Sequence, residues 1–438
     1  MQRRVVATSN SELSLFPHPE KVGVYVKQEE FSKHRLEGAQ WVHWRDRVNL
    51  IIDGRYDDVK PLHVELSPTW VCNFACSWCN MRSARQEWTD SGDVFHRPIF
   101  TDETTASLEL LKHVIDHLAD DEVGIQWVGG EPTLNPAIYD AMEYAQSKGL
   151  KQALFTNGSA LNEESTLRLL NCELVFVRFS LNATSAEVHA RFHGYESNLR
   201  LGEKVLSNLE RFAQRKLSTG NRTLCGVSFV IDDDNIGDLR PSVMVVADIA
   251  KRVGKGGIDY VVCRPAYKLY GNDVTSSRDF RNSLLSVLSP NGEIARLVES
   301  SGIQFLAPTE APYKDQVVIS QEFSDRCLSC GWFGEIKPSG ELMVCSDRYG
   351  HPDFVIGDIG KKSLAQIWSS DQRSTVLKMI QHEKCLKEYC PRSGRGFYLN
   401  GIFHQIEALR HQGRINDVKR WIAELRKVVP NPGHSFYI

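Results

Sequence analysis

Six short apolar runs recur along the first two thirds of the chain: 62–68 (LHVELSP), 123–130 (VGIQWVGG), 152–158 (QALFTNG), 173–182 (ELVFVRFSLN), 225–232 (CGVSFVID) and 259–267 (DYVVCRPAY). They are rich in β-branched and aromatic residues and bounded by Gly, Asn, Asp or Pro, as strands buried on both faces are. Helical patterns separate them. In 135–149 the spacing predicts a helix with Asn135 as N-cap, Pro136 at the first helical position and Gly149 just past the end. The stretches 199–216 and 239–256 carry the apolar stripe of amphipathic helices. Strands alternating with helices predict βαβ units, hence an α/β fold with a parallel sheet, closed or nearly closed, over residues 61–270.

The flanks read differently. Residues 1–60 are polar at first and then amphipathic through WVHWRDRVNLIIDG, which predicts a helix laid on the barrel. Beyond 270 the alternation stops, and 271–320 reads as a helical linker. A cysteine-bearing segment follows at 321–400, and 401–438 holds a plain amphipathic helix, INDVKRWIAELRKVV. Charge is almost balanced, 52 basic against 55 acidic side chains, with no Lys/Arg run, so no nucleic-acid partner is expected. The start lacks an apolar signal core and no run is long enough to span a bilayer, which predicts a cytoplasmic chain with no membrane partner.

Candidate chemistry comes from the eleven cysteines, an odd number in clusters. That pattern favours metal or redox chemistry over disulfides. Cys72, Cys76 and Cys79 directly follow the first strand, on the rim where barrels build active sites. Three thiolates on one short loop suit three corners of an iron–sulfur cluster and leave the fourth iron open. A structural zinc site would need a fourth ligand, and the closest histidines are His63 and His96.

With these residues the chain resembles the radical S-adenosylmethionine (SAM) superfamily, whose signature is C-x3-C-x2-C with an aromatic residue before the last cysteine, here Trp78. GGEPTLNP at 129–136 is similar to the family's turn after the second strand. The resemblance implies a partial (β/α)6 barrel, a [4Fe–4S] cluster on Cys72, Cys76 and Cys79, and SAM held by Trp78, Gly129, Gly130, Glu131, Asn157, Ser180, Asn182, Arg191, Val230 and Ile231. The two glycines would let the backbone approach the amino group of the methionine moiety. Ser180 and Asn182 could equally cap the next helix, and Arg191 could be a solvated helix residue. In this family an electron from the cluster cleaves SAM, and the resulting 5′-deoxyadenosyl radical removes a hydrogen atom from substrate; an external one-electron reductant of flavodoxin or ferredoxin type is implied.

Cys327, Cys330, Cys345, Cys385 and Cys390 form a second set, and EIKPSGELMVC reads as a hairpin around PSG that brings its flanking cysteines together. The Gly340-x4-Cys345 spacing resembles twitch and SPASM auxiliary-cluster domains, here a small C-terminal α+β domain. Five cysteines imply one auxiliary [4Fe–4S] cluster held by four of them; a zinc ribbon is the alternative. Cys172 and Cys225 read as buried hydrophobes, whereas either Cys263 or Arg264 must point into the barrel, because strand side chains alternate. An inward Cys263 could return a hydrogen atom to a substrate radical; an inward Arg264 could bind an anionic group. The expectation is therefore an enzyme, an oxidoreductase or lyase acting on a small polar sugar-, aminoglycoside- or nucleoside-like intermediate by dehydrogenation or dehydration. A radical SAM epimerase, a SPASM-type peptide maturase and a non-catalytic cysteine-rich zinc module are the alternatives.

Overall fold

The structure, a computed structural model, describes residues 40–76, 78–79, 105–196, 198–266, 284, 286–289, 292–306, 327–345, 352–380, 395–429, 431 and 433. All six expected strands form: β1 (His63–Leu66), β2 (Gly124–Trp127), β3 (Gln152–Thr156), β4 (Phe176–Ser180), β5 (Leu224–Ile231) and β6 (Tyr260–Pro265). Each is parallel to the next, with registers such as Glu65↔Gln126, Ala153↔Phe176 and Val230↔Arg264. Before α1 (Arg45–Ile52) lies a short 3-10 turn. The crossovers are α2 (Leu108–Ala119), α3 (Ile138–Ser147), α4 (Glu163–Asn171), the pair α5 (Ala186–His193) and α6 (Arg200–Ser218), and α7 (Leu239–Val253). Among the described residues no helix is long and apolar enough to cross a membrane.

Two features extend the sheet beyond the expected six strands. Within the stretch expected as a helical linker, α8 (Glu293–Glu299) is followed by β7 (Gln304–Leu306), which pairs parallel to β6. At the other edge the expected hairpin forms from β8 (Glu335–Ile336) and β9 (Glu341–Met343). Its turn closes through Gly340, whose φ of +90° suits glycine. β10 (Val355–Asp358) adds antiparallel to β9. The hairpin is not a detached module: β8 lies parallel to β1, with Glu65 N–H donating to Gly334 O and Ser67 N–H to Ile336 O, both at 2.9 Å. The described strands thus form one ten-stranded sheet in the order β10-β9-β8-β1-β2-β3-β4-β5-β6-β7.

Alternation divides the strands into two faces. Val64, Leu66, Ile125, Trp127, Val177, Phe179, Val227, Phe229, Ile231, Val261 and Cys263 pack in the main core with helix residues such as Leu111, Leu169, Phe212 and Val243. Ala153, Phe176, Tyr260 and Leu306 form a separate cluster with Phe155, Leu224 and Val262, on the opposite, inner face. The Tyr260 ring needs Gly226 beside it, since a Cβ there would lie 2.1 Å from Tyr260 Cζ. Arg178 sits over Phe155 at 4.5 Å and Phe176 at 5.0 Å and donates from Nε to Tyr260 Oη at 3.2 Å. This cation–π stack plugs the inner face with a charge that the apolar look of strand β4 conceals.

The terminal helices form a feature of their own. Val48 and Ile51 of α1 join Trp41, Tyr56 and Val59 in a second core with Leu399, Phe403, Ile422 and Leu425. Those partners come from α11 (Arg395–His411) and α12 (Ile415–Val428), which follow α9 (Leu364–Trp368) and α10 (Asp371–Ile380). Trp332, just after Cys330, reaches the same core and lies edge-on to Trp41. Amphipathic helices from both ends of the chain bury each other's apolar stripes, a pairing that no local pattern encodes.

Candidate active site

The loop after β1 is shaped by what it rests on. Asn135, expected as a helix N-cap, instead donates from Nδ2 to Pro68 O and Ala106 O, each at 2.9 Å, while its Oδ1 accepts from Ala137 N–H; α3 begins only at Ile138. The Gly129–Gly130–Glu131 turn runs beside the same loop, with Gly130 N–H donating to Thr69 O and Glu131 N–H to Val71 O, both at 2.9 Å. A Cβ on Gly130 would lie 2.2 Å from Val71 O, and one on Gly129, at φ +114°, 2.7 Å from Thr69 O. The close approach that demands glycine here is to the backbone leading into Cys72.

Glu131 is also turned inward. It is buried, and its carboxylate accepts from Thr133 N–H, Thr133 Oγ1–H, Thr156 Oγ1–H at 2.7 Å and Asn157 N–H at 2.6 Å. Burial raises its pKa against these bonds. The residue ties the ends of β2 and β3 together, so its carboxylate is committed to protein donors. Asn157 extends the tie: Nδ2 donates to Asn73 Oδ1 at 2.9 Å, and Asn73 Nδ2 donates to Ser159 Oγ at 2.8 Å. Asn73, between the first two cysteines, is a site-supporting residue that the sequence reading missed.

Cys72 is exposed, and Cys76 and Cys79 are half-buried, whereas Cys172, Cys225 and Cys263 are buried. Among the described residues no three His, Cys, Asp or Glu side chains are already arranged around one metal position. The fit to a cluster rests instead on the donor set: three soft thiols on one rim loop, open to incoming iron and sulfide, suit an iron–sulfur cluster.

Beneath the loop lies a cluster of rings. Phe74 stacks on Tyr195 at 4.9 Å and packs against His193 at 4.8 Å, and Trp78 stacks on Phe192 at 5.7 Å. Ala75 N–H donates to His193 O, and Gly194, at φ +67°, leaves only glycine's room against Ala75 O. Trp78 therefore anchors the loop to the end of α5. His189 faces the Tyr195 hydroxyl through Nδ1, and burial lowers its pKa from 6.5 to about 4. The unfolded chain takes up this proton through 6.5 and the folded chain only near 4, so stability present above 6.5 is lost as the pH falls toward 4. At pH 5 the loss from His189 is about 2 kcal/mol. Urea unfolding of metal-free protein at pH 7 and pH 5 checks this: His189→Gln should lose less stability between the two than wild type, and equal losses would refute the assignment.

The remaining expected residues separate by face. Asn182 is buried at φ +61°, accepts from Val230 N–H at 2.8 Å and lies beside His193, crosslinking the ends of β4 and β5. Ser180 and Val230 share the inner-face parity, whereas Ile231 packs in the helix-side core. Arg191 is exposed and donates to Asp234 O at 3.1 Å. Cys263 also faces the helices, fully buried, which removes it as a hydrogen donor to the barrel interior. Arg264, by alternation with Tyr260 and Val262, is the β6 residue turned inward.

At the hairpin, Cys327 and Cys330 precede β8 and Cys345 follows β9, so the three lie at its open end. Cys330 Sγ–H donates to Cys327 O at 3.1 Å. Hydrogen bonding from Cys330 is the chief cause that lowers Cys327 to about 7, and Cys330 is raised in return. One thiol of the pair is thereby ready to ionise and ligate. Cys385 and Cys390 lie outside the described residues.

Comparison with known proteins matches both cysteine-bearing regions. Residues 66–243 match the radical SAM superfamily and residues 327–392 the SPASM iron-sulfur cluster-binding domain, which begins at Cys327. The antilisterial bacteriocin subtilosin biosynthesis protein AlbA of Bacillus subtilis is 24% identical over 371 residues, covering 81% of this chain and 71% of that protein. The mycofactocin maturase MftC of Mycobacterium ulcerans is 28% identical over 182 residues, 41% of this chain and 42% of its own length, so this chain spans less than half of it. In fold, the chain resembles Streptococcus suis SuiB in a crystal structure bound to precursor peptide SuiA, with a TM-score of 0.50, 14% identity, and coverage of 77% of this chain and 76% of that one. The chain carries a radical SAM domain and a C-terminal SPASM domain, and its cofactors are SAM, a [4Fe–4S] cluster and auxiliary iron–sulfur.

Proposed function

We propose that the protein is a maturase that modifies a peptide by radical chemistry, taking up the peptide alternative in place of a small sugar-like substrate. The observation that supports it is the AlbA match, which covers 81% of this chain. MftC, named a maturase, supports it over a shorter span. In this reading Cys72, Cys76 and Cys79 hold the catalytic cluster, and Cys327, Cys330 and Cys345, with one of Cys385 and Cys390, hold auxiliary iron. When bound, the cluster and SAM supply a 5′-deoxyadenosyl radical that takes a hydrogen atom from the substrate, given one electron from a flavodoxin- or ferredoxin-type donor.

The chain's own contribution is to hold and shield. The Glu131–Asn157–Asn73 network fixes the cysteine loop to the end of β3. Val230 and Arg264 share the inner face at the C-terminal ends of β5 and β6, where Arg264 would receive an anionic group of SAM or substrate. β8 lengthens the barrel wall beside β1, so the domain carrying the auxiliary cysteines is built against the catalytic rim. That placement suits an auxiliary cluster that accepts the second electron of a two-electron oxidation.

The test is direct. Anaerobically reconstituted protein, SAM and dithionite are incubated with a synthetic precursor peptide encoded beside the gene, and the peptide is weighed by mass spectrometry. The expected product is a peptide lighter by two hydrogen atoms, formed together with 5′-deoxyadenosine. An unchanged peptide, with 5′-deoxyadenosine formed only when an amino sugar is supplied, would overturn the peptide reading.

A further inference from the structure

We propose that His193 is a positioning residue for the Cys76 corner: its Nδ1–H donates to the Cys76 sulfur once that sulfur is an iron ligand, steadies that ligand and raises the cluster's reduction potential. The inference rests on the reading of Cys76 as a ligand. His193 is buried at the end of α5, clamped by Phe74 on one side and His189, whose ring lies 4.4 Å away, on the other. Its Nδ1 lies 3.1 Å from Cys76 Sγ. Its Nε2 lies 3.2 Å from Leu181 O and 3.4 Å from Asn182 Nδ2.

The neighbours decide which nitrogen carries the hydrogen. As a neutral imidazole the ring has one N–H to place. A ligated sulfur has no hydrogen of its own, so any hydrogen bond at this contact must come from Nδ1. Nε2 must then accept, and Asn182 supplies the donor. The Asn182 amide cannot be turned round, because its Oδ1 already accepts from Val230 N–H at 2.8 Å, leaving Nδ2 toward the ring. With a thiol in place of the ligand, the other tautomer is served equally: S–H donates to Nδ1 and Nε2–H donates to Leu181 O. The pocket thus has a partner for the ring in both states. Hydrogen bonds to cluster sulfurs stabilise the reduced, more negative cluster and so raise its potential, and partners behind a ligand fix its orientation.

The experiment is an EPR-monitored redox titration of the reconstituted full chain, in wild type, His193→Gln and His193→Asn. An asparagine amide nitrogen reaches roughly where Nδ1 lies, and a glutamine nitrogen where Nε2 lies. His193→Gln should retain iron yet show about a tenfold smaller ratio of reduced to oxidised barrel cluster at the wild-type midpoint, a shift of about 59 mV to more negative potential for one electron. His193→Asn should stay near wild type, and the auxiliary signal should move in neither. A wild-type potential in His193→Gln, equal shifts in both variants, or loss of barrel iron from both would each overturn the proposal, the last by showing that ring volume rather than the donor matters. Cys76→Ala separates the two readings: a surviving barrel-cluster signal sinks the ligand assignment itself. Its loss, with an unmoved His193→Gln potential, sinks only the role of His193.

Discussion

Alanine at Cys72, Cys76 and Cys79 together should abolish formation of 5′-deoxyadenosine from SAM while leaving the C-terminal iron in place. These are the thiols that the fold brings to the catalytic rim, on one loop after β1, and the other described thiols near the barrel are buried against helices. The C-terminal set lies on other segments: Cys327 and Cys330 precede and Cys345 follows the β8–β9 hairpin, and Trp332 enters the second core. Chromatographic assay of dithionite-reduced triple variant, with iron analysis of the same sample, checks both halves. Continued 5′-deoxyadenosine production would place SAM cleavage elsewhere, and loss of all iron would show that the two regions assemble as one. Because the side chains removed are exposed or half-buried, folding should be little affected, and the loss reads chemistry rather than stability.

Gly130→Val should empty the barrel cluster site, not merely weaken SAM binding. The first added carbon would stand 2.2 Å from Val71 O and 2.7 Å from Val71 C, and a backbone neighbour cannot swing aside as a side-chain tip can. Overpacking costs about 1–3 kcal/mol, and more where backbone must move. Here the backbone that moves leads directly into Cys72, and the Glu131 N–H bond to Val71 O goes with it. Iron content and visible absorbance after reconstitution should fall by about half, with auxiliary iron retained, and SAM affinity should fall only as the cluster does. Full iron with selectively weakened SAM in equilibrium dialysis would restore the view that this turn faces the cofactor.

The contrast between these variants shows what kind of information each residue carries. Cys72, Cys76 and Cys79 were legible because their chemistry and spacing are local: one loop, one donor type, one place after a strand. Gly130 and Glu131 were legible as a motif, but the reason for them was not. Whether a glycine is needed for a ligand or for a neighbouring chain depends on what lies across from it, and Val71 is 59 positions away in sequence. His193 carried no signal beyond lying before a glycine, although it holds the contact to Cys76. Arg178 could have been suspected from parity, being a charge inside an otherwise apolar strand.

By itself the sequence determined the six strands, the crossover helices, the hairpin around PSG and the two cysteine sets. All of these are set by short-range physics: alternation or helical spacing of apolar residues, turn residues, and ligand spacing along one segment. Tertiary structure decided the rest. It joined β8 to β1, so that the auxiliary domain became part of the barrel wall. It paired α1 with α11 and α12 in a second core, and it turned Cys263 outward and Arg264 inward. Pairing between distant segments is chosen by which apolar faces and free strand edges remain once the local elements exist. That is a competition over the whole chain, and a strand's direction of facing, which reverses with a shift of one residue, follows from its outcome.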